Sequence, residues 1–282
     1  MAHVISTINL KGGVGKTTTT VALAETLSSE FHKRVLVIDL DPQTNATAML
    51  IGESKWRDLN DVGHTLAQMF KDALDPGNKQ FDFNKVLQKD VSDVSTTHTI
   101  DLLPSSLDLI DVQDQLALAS IGKFYSVNPT EILHRAVKSK LDNYDIVIVD
   151  CPPNLGIITL NGLRISKGYI IPTIPDFLST YGIPQIIKRV NGFSDTIGEE
   201  IKPLGIVVTK YQSNSVVHKS GLQRLQEKKD APLFATKIKQ ANNIASAAEY
   251  FKRTRTLIQK YGSEFADSYR SLAQEMVLKL EG

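Results

Sequence analysis

The sequence predicts an α/β fold, a single domain on a mostly parallel, twisted sheet with helices on both faces. Three observations predict it. Short apolar runs of strand length recur along the chain, "HVISTIN", "RVLVIDLD", "YDIVIVDCPP", "GYIIPTIP" and "KPLGIVVTK", and strands buried on both faces read this way. Helical stretches separate them, the alternation expected of parallel strands joined by crossover helices. The chain has 282 residues, 41% hydrophobic and 22% charged, which is enough to bury a full core.

The elements follow in order. "HVISTIN" is a β-branched strand that enters a glycine-rich turn and then an apolar-periodic helix, roughly Thr17 to Ser29. "RVLVIDLD" is a buried strand ending in acids, and "YDIVIVDCPP" repeats that pattern at residues 144–153. From Gly52 to about Ser95 the sequence is least regular, with a turn at "DPGN" (75–78), so residues 52–110 read as an elaboration on a single domain spanning 1–282. A helix is expected at "NPTEILHRAVKSKL", with Asn128 as cap, Pro129 in the first position and Glu131 closing a capping box. The closing "SEFADSYRSLAQEMVLKLEG" is an amphipathic helix expected to pack on the sheet. Internal repeats and low-complexity linkers are absent from the sequence.

Composition excludes several classes. One cysteine, Cys151, allows no internal disulfide and no CxxC pair. No apolar run approaches the length of a membrane span, and "MAHVIST" lacks the parts of a signal peptide, so a cytoplasmic protein is expected. The net charge of +1 is unevenly spread. Residues 201–282 carry 14 Lys/Arg against 7 Asp/Glu, and residues 1–200 carry 18 against 24. Such blocks suggest a basic face.

The chemistry is concentrated in "STINLKGGVGKTTTT" (residues 6–20). A strand running into a glycine turn and a helix places free backbone N–H groups and a positive helix end at one point, an anion site. Gly12, Gly13 and Gly15 let the backbone wrap a phosphate closely. Lys16 can reach the β- and γ-phosphates, and the Thr17 hydroxyl can ligate Mg²⁺. Val14 and Thr18 complete the nucleotide-binding loop. The strict G-x-x-x-x-G-K-[ST] pattern fails, because Leu10 stands where its first glycine should be. A second lysine, Lys11, lies five residues upstream of Lys16.

"KGGVGKT" resembles the deviant Walker A motif of the ParA/MinD class of P-loop ATPases. The resemblance runs from Val4 to the last helix. It implies ATP and Mg²⁺ as cofactors and an ATP-dependent homodimer, in which Lys11 crosses the interface to the partner's phosphates. An arginine finger in trans has the same logic and is worth roughly 10³–10⁵ in rate. "VLVIDLDPQTNAT" resembles the second motif of the class, which assigns Asp41 to the attacking water and Asp39 to a place near the Mg²⁺ shell. A turn-capping role for one of the two is the alternative. Asp150 resembles the Walker B aspartate that holds Mg²⁺ through water. Thr209 and Lys210, after "GIVVTK", are nominated by the same resemblance for the adenine site.

Members of the class do different work. Iron–sulfur members need cysteine pairs, tyrosine kinases a tyrosine cluster, and MinD-type members a basic, apolar membrane helix, none of which is visible here. The expected reading is a ParA-type ATPase: a dimer that binds non-specific DNA, associates with the nucleoid, and is released when a cargo-bound adaptor, ParB-like or McdB-like, stimulates slow hydrolysis. The phosphate loop begins at residue 11, leaving no room for an N-terminal helix-turn-helix. Candidate DNA contacts are Lys219, Arg224, Lys228, Lys229, Lys252, Arg253 and Arg255. The overall look is similar to the carboxysome-positioning members, with plasmid or chromosome partition as the alternative cargo. A membrane ATPase and a metabolic P-loop ligase or amidase are the competing classes. The latter would need a second-substrate pocket for which no acid/base cluster is evident.

Overall fold

The structure, a computed structural model, describes residues 2–119, 128–228, 230–241, 246–252 and 254–281. Its strands are β1 (His3–Thr7), β2 (Val35–Asp39), β3 (Ile100–Leu103), β4 (Ile146–Asp150), β5 (Gly168–Thr173), β6 (Lys202–Tyr211) and β7 (Leu233–Lys239). They form one sheet in the order β3-β2-β4-β1-β5-β6-β7, and every pairing between these strands is parallel. The helices described along the chain are α1 (Lys16–Phe31), α2 (Asn45–Ile51), α3 (Glu53–Asp61), α4 (Leu66–Leu74), α5 (Phe83–Val86), α6 (Leu109–Ala119), α7 (Ile132–Val137), α8 (Ile157–Ile165), α9 (Phe177–Tyr181), α10 (Ile183–Ile197) and α11 (Val216–Glu227), followed by Leu257–Tyr261 and the C-terminal helix Ser263–Glu281.

Continuous apolar strands work because successive side chains enter opposite layers. In β2, Leu36 and Ile38 join one core while Val35 and Val37 join the other. In β4, Val147 and Val149 face the first layer and Ile146 and Ile148 the second. The first layer is closed by Phe70 of α4, Leu116 of α6, Leu133 of α7, Leu163 of α8 and Val190 of α10. Leu23 and Leu27 of α1, Leu50 of α2, and Tyr269, Leu272 and Met276 of the C-terminal helix close the second. Each fully buried side chain of this size stabilises the fold by about 1.5–3 kcal/mol relative to exposure. Helix α1 forms despite four consecutive threonines at its start. Thr19 and Thr20 are buried there, so packing overrides a weak local propensity.

The predicted strands and the closing helix are present, and the turn at 75–78 is closed by Asn78 N–H donating to the Asp75 carbonyl at 3.1 Å. Other expectations differ. Helix α7 begins at Ile132, and residues 128–131 form a turn in which Asn128 Oδ1 accepts from the Thr130 N–H at 3.1 Å. The Glu131 carboxylate turns away from the cap because Arg164 and His134 hold it. Residues 52–110, read above as an elaboration on the domain, are tied into its sheet and core. Their last part forms β3, which pairs with β2, and α4 within them supplies Leu66 and Phe70 to the core. Strands β3 and β7 carry weak sequence signals, because one is only four residues long and the other mixes Thr236, Lys237 and Lys239 into its apolar run.

The second layer also contains a buried ionic cluster. The Lys260 ammonium, fully buried, donates to Glu25 of α1 at 2.6 Å and to Asp93 at 2.7 Å. The Tyr261 hydroxyl donates to the other Glu25 oxygen at 2.6 Å. These bonds tie the segment before the C-terminal helix to α1. Removing one partner strands the others without compensation. Lys260→Met should therefore lower unfolding stability by about 3–5 kcal/mol at neutral pH, read from denaturant titration.

Candidate functional site

Strand β1 ends level with its neighbours. Thr7 pairs with Asp150, and Asp150 pairs with Asp39, so three strand ends and their side chains meet at one height of the sheet. Ligands bind at this carboxyl edge in open parallel sheets. Beyond β1, buried Asn9 anchors the loop on both sides. Its amide donates to the Pro172 carbonyl at 2.8 Å, and its side-chain oxygen accepts from the Lys11 N–H at 2.9 Å. Gly13 and Gly15 both adopt left-handed backbone, φ 74° and 84°, which glycine takes at least cost. Gly15 caps α1 without any side-chain cap, leaving the first-turn N–H groups open to an anion.

Gly12, Gly13, Gly15, Lys16, Thr17, Thr18, Asp41 and Lys210 line one cleft of about 360 Å³. Lys16 is only 6% exposed. Its burial lowers the ammonium pKa, and the nearby carboxylates of Asp150 and Asp41 oppose that shift. Asp41 accepts from the Gln43 N–H at 3.0 Å and keeps its carboxylate at the cleft. Asp150 is fully buried, and burial pushes its carboxyl up to about 7. Thr17, Thr20 and Lys16 pull against that rise, while Asp41 adds to it. The Thr20 hydroxyl lies 3.2 Å from one Asp150 oxygen, and the other, Oδ2, has no hydrogen-bond partner.

A buried acceptor without a donor fits a cation or its water shell. Among the described residues no three of His, Cys, Asp and Glu are grouped to cage a metal. Mg²⁺ typically takes one or two carboxylates together with substrate phosphates, and Asp150 with the Thr17 hydroxyl offers such a half-shell. Asp39 serves differently. Its Oδ2 accepts from the Thr47 N–H at 2.9 Å and the Thr47 hydroxyl at 2.7 Å, and Oδ1 accepts from the Asp41 N–H at 3.1 Å. Burial and the neighbouring Asp150 raise its pKa well above the usual range. Through these three bonds Asp39 anchors α2 and the Asp41 turn.

Thr209 packs against the loop at Gly15, and its hydroxyl donates to the Val14 carbonyl at 2.7 Å. Lys210 does reach the cleft, from a left-handed backbone of φ 50° that is uncommon outside glycine. Lys11 points away from its own loop: its ammonium is 3.3 Å from Asp176 and 2.9 Å from the Ser179 hydroxyl. Gln43, Asn45, Ala48, Met49, Pro153 and Ala248, outside the residues the sequence nominates, complete the cleft wall. The polar pair Gln43 and Asn45, just after Asp41 in "DPQTN", was the available signal.

The basic candidates divide. Lys219, Arg224 and Lys252 are exposed. Lys228 donates to the Thr180 carbonyl at 3.2 Å, and its burial lowers its pKa. Arg255 lies 2.9 Å from buried Asp93 and over the Phe251 ring, and it donates to the Glu249 carbonyl. These two have structural work, because the carboxylate and carbonyls they satisfy sit in the fold. Lys229 and Arg253 lie outside the described residues. No described helix is long and apolar enough to cross a membrane.

The family model described as an AAA domain, AAA_31, matches residues 2–203. The chromosome-partitioning ATPase Soj of Thermus thermophilus is 30% identical over 98% of this chain and 96% of its own length. Among solved structures, the cobyrinic acid a,c-diamide synthase of Mycobacterium smegmatis with bound ATP analogue and magnesium is 26% identical, with a TM-score of 0.71 over 97% of this chain and 93% of that one. Apo McdA of Cyanothece has a TM-score of 0.73 over 98% and 100%, at 19% identity, a likeness of fold alone.

Asp150 makes stability depend on pH. The unfolded chain loses this proton near pH 4 and the folded chain near 7. The group's full contribution to stability is present below about pH 4 and is lost as pH rises through 7. Asp150→Asn should raise the melting temperature of ligand-free protein by about 2–5 °C at pH 8, with the gap closing toward pH 5 in thermal scans.

Proposed function

Because this chain belongs to the AAA domain family AAA_31, within the ParA/MinD class of P-loop ATPases, we propose that it is a ParA-type positioning ATPase that acts as an ATP-bound dimer on DNA. One observation carries the reading: the loop holds two lysines, and only Lys16 serves its own cleft. Lys11 does not line that cleft and is partly exposed beside Asp176, where an ammonium can be offered to a second copy.

In this reading ATP lies on the loop with its phosphates on the free N–H groups of α1 and on Lys16. Thr17 and Asp150 would hold Mg²⁺, which would supply charge neutralisation at the phosphates. Asp41, buried at the cleft wall, orients the attacking water. Lys11 from the partner stabilises charge that develops as the γ-phosphoryl leaves. Lys210 borders the base. DNA is met by exposed Lys219, Arg224 and Lys252, through phosphates and so without sequence preference. Lys229 and Arg253 remain in the set on sequence grounds, whereas Lys228 and Arg255 are left to the fold. An adaptor on the cargo would stimulate hydrolysis and release the dimer from the nucleoid.

For cargo, the similarity along the whole length to Soj favours a genome segment. The carboxysome expectation has support only at the level of fold. The second reading is an ATP-dependent amide-forming enzyme, raised by the likeness to the diamide synthase. ATP turnover that requires a small carboxylic acid and ignores DNA would favour that reading.

Fluorescence anisotropy of a random-sequence duplex separates the two. Binding is expected with Mg-ATP and absent with ADP, with log affinity falling about 0.9 per log unit of salt for each phosphate neutralised. Binding in no nucleotide state removes the DNA reading. Lys11→Ala should depress hydrolysis about 10³-fold while ADP affinity stays near wild type. Lys16→Ala should lose ADP affinity as well. Equal loss of ADP affinity in both variants rules out the trans role of Lys11.

A further inference from the structure

The contact that holds Lys11 in its own chain is specific. Its ammonium takes the Asp176 carboxylate at 3.3 Å and the Ser179 hydroxyl at 2.9 Å. These two residues are also the cap of α9, where Asp176 Oδ1 accepts from the Ser179 N–H at 2.6 Å. Asp176 is partly buried, which alone would raise its pKa. The Ser179 N–H and hydroxyl and the Lys11 ammonium outweigh that and hold it below the usual carboxylate range. It is therefore an anion at neutral pH, already placed where Lys11 docks.

Helix α9 is fixed from behind. Lys228, at the end of α11, donates to the Thr180 carbonyl. Gly221 of α11 packs so closely on Pro175 that a Cβ there would lie 1.8 Å from the Pro175 carbonyl oxygen. The outer face of α9 is apolar and open, with Phe177, Leu178 and Tyr181 each more than 60% exposed. The latch site is thus a rigid corner beside the phosphate loop.

We propose that Asp176 and Ser179 form a latch in cis that holds Lys11 away from a partner's nucleotide and so sets the protein concentration at which the ATP dimer closes. The proposal rests on the trans role given to Lys11 above. The three donors of the Lys11 ammonium face both Asp176 oxygens and the Ser179 hydroxyl, so engaging a partner's phosphates must give up part of the cis contact. A half-exposed ion pair is weak. The triphosphate, with more charge, can win the competition, and the latch therefore tunes a threshold without blocking the dimer. Asp176 is a positioning residue in this scheme, acting only through Lys11.

The test is dimerisation followed by light scattering across protein concentration, with Mg²⁺ and AMPPNP, for wild type, Asp176→Asn, Ser179→Ala, Lys11→Ala and the Lys11→Ala/Asp176→Asn double variant. Asparagine caps helices as well as aspartate, so Asp176→Asn keeps α9 while removing the charge. Asp176→Asn should dimerise at a roughly three- to ten-fold lower concentration than wild type, and Ser179→Ala should shift the same way by less. ADP affinity, an independent measure of the folded monomer, should match wild type in both. The double variant should behave as Lys11→Ala alone. If wild type dimerises and both single latch variants leave the threshold unmoved or higher, the latch is overturned. It is also overturned if Asp176→Asn lowers the threshold without Lys11. If wild type stays monomeric with AMPPNP at all concentrations, the dimer reading falls and the latch falls with it.

Discussion

The register of β1, β4 and β2 is the constraint on which the site depends. Pairing Thr7 with Asp150 and Asp150 with Asp39 brings a phosphate loop, a buried carboxylate and an acidic turn to one edge. A slip of one residue in any of these pairings would exchange the two faces of that strand and carry its apolar set to the wrong layer. The hydrophobic layers therefore enforce the position of the polar groups. Core packing and site geometry are one requirement here, met by the same alternating valines, leucines and isoleucines.

Once the strand ends are level, charge balance does the rest. Lys16 is buried between Asp41 and Asp150, one cation against two carboxylates. Asp150 keeps an unpartnered oxygen among the described residues, and burial raises its pKa although Thr17, Lys16 and Thr20 pull against the rise. Asp39 escapes that predicament through Thr47 and the Asp41 N–H. Two neighbouring acids in similar strand positions thus have opposite roles, one satisfied internally and one left open to a ligand. Spare hydrogen-bond capacity separates them, since both are buried.

The same accounting sorts the basic residues. A surface lysine such as Lys219 has no fixed partner among the described residues, whereas Arg255 neutralises buried Asp93 and Lys228 satisfies the end of α9. Together with the Lys260 cluster, these contacts join α1 and α9 to the C-terminal third. The basic region is therefore in part the charge complement of acids elsewhere in the fold. Only the remainder can belong to a partner.

Much of this was determined by the sequence alone. The alternation of buried strands and helices, the loop from Lys11 to Thr18, and the acids Asp41 and Asp150 are local patterns, and each carries its physical reason within a few residues. The short β3, the mixed edge strand β7, the turn in place of a capped helix at residues 128–131 and the cleft residues Gln43 and Asn45 were decided by tertiary structure. So were the structural roles of Asp39, Thr209 and Arg255 and the hold of Asp176 on Lys11. In each of these cases the deciding partner is distant in the chain or its geometry is set by packing. Thr209 meets Val14, Arg255 meets Asp93, and Lys11 meets Asp176. A periodic pattern records which face is buried, but the donor that satisfies a buried acceptor is chosen only when the chain closes on itself.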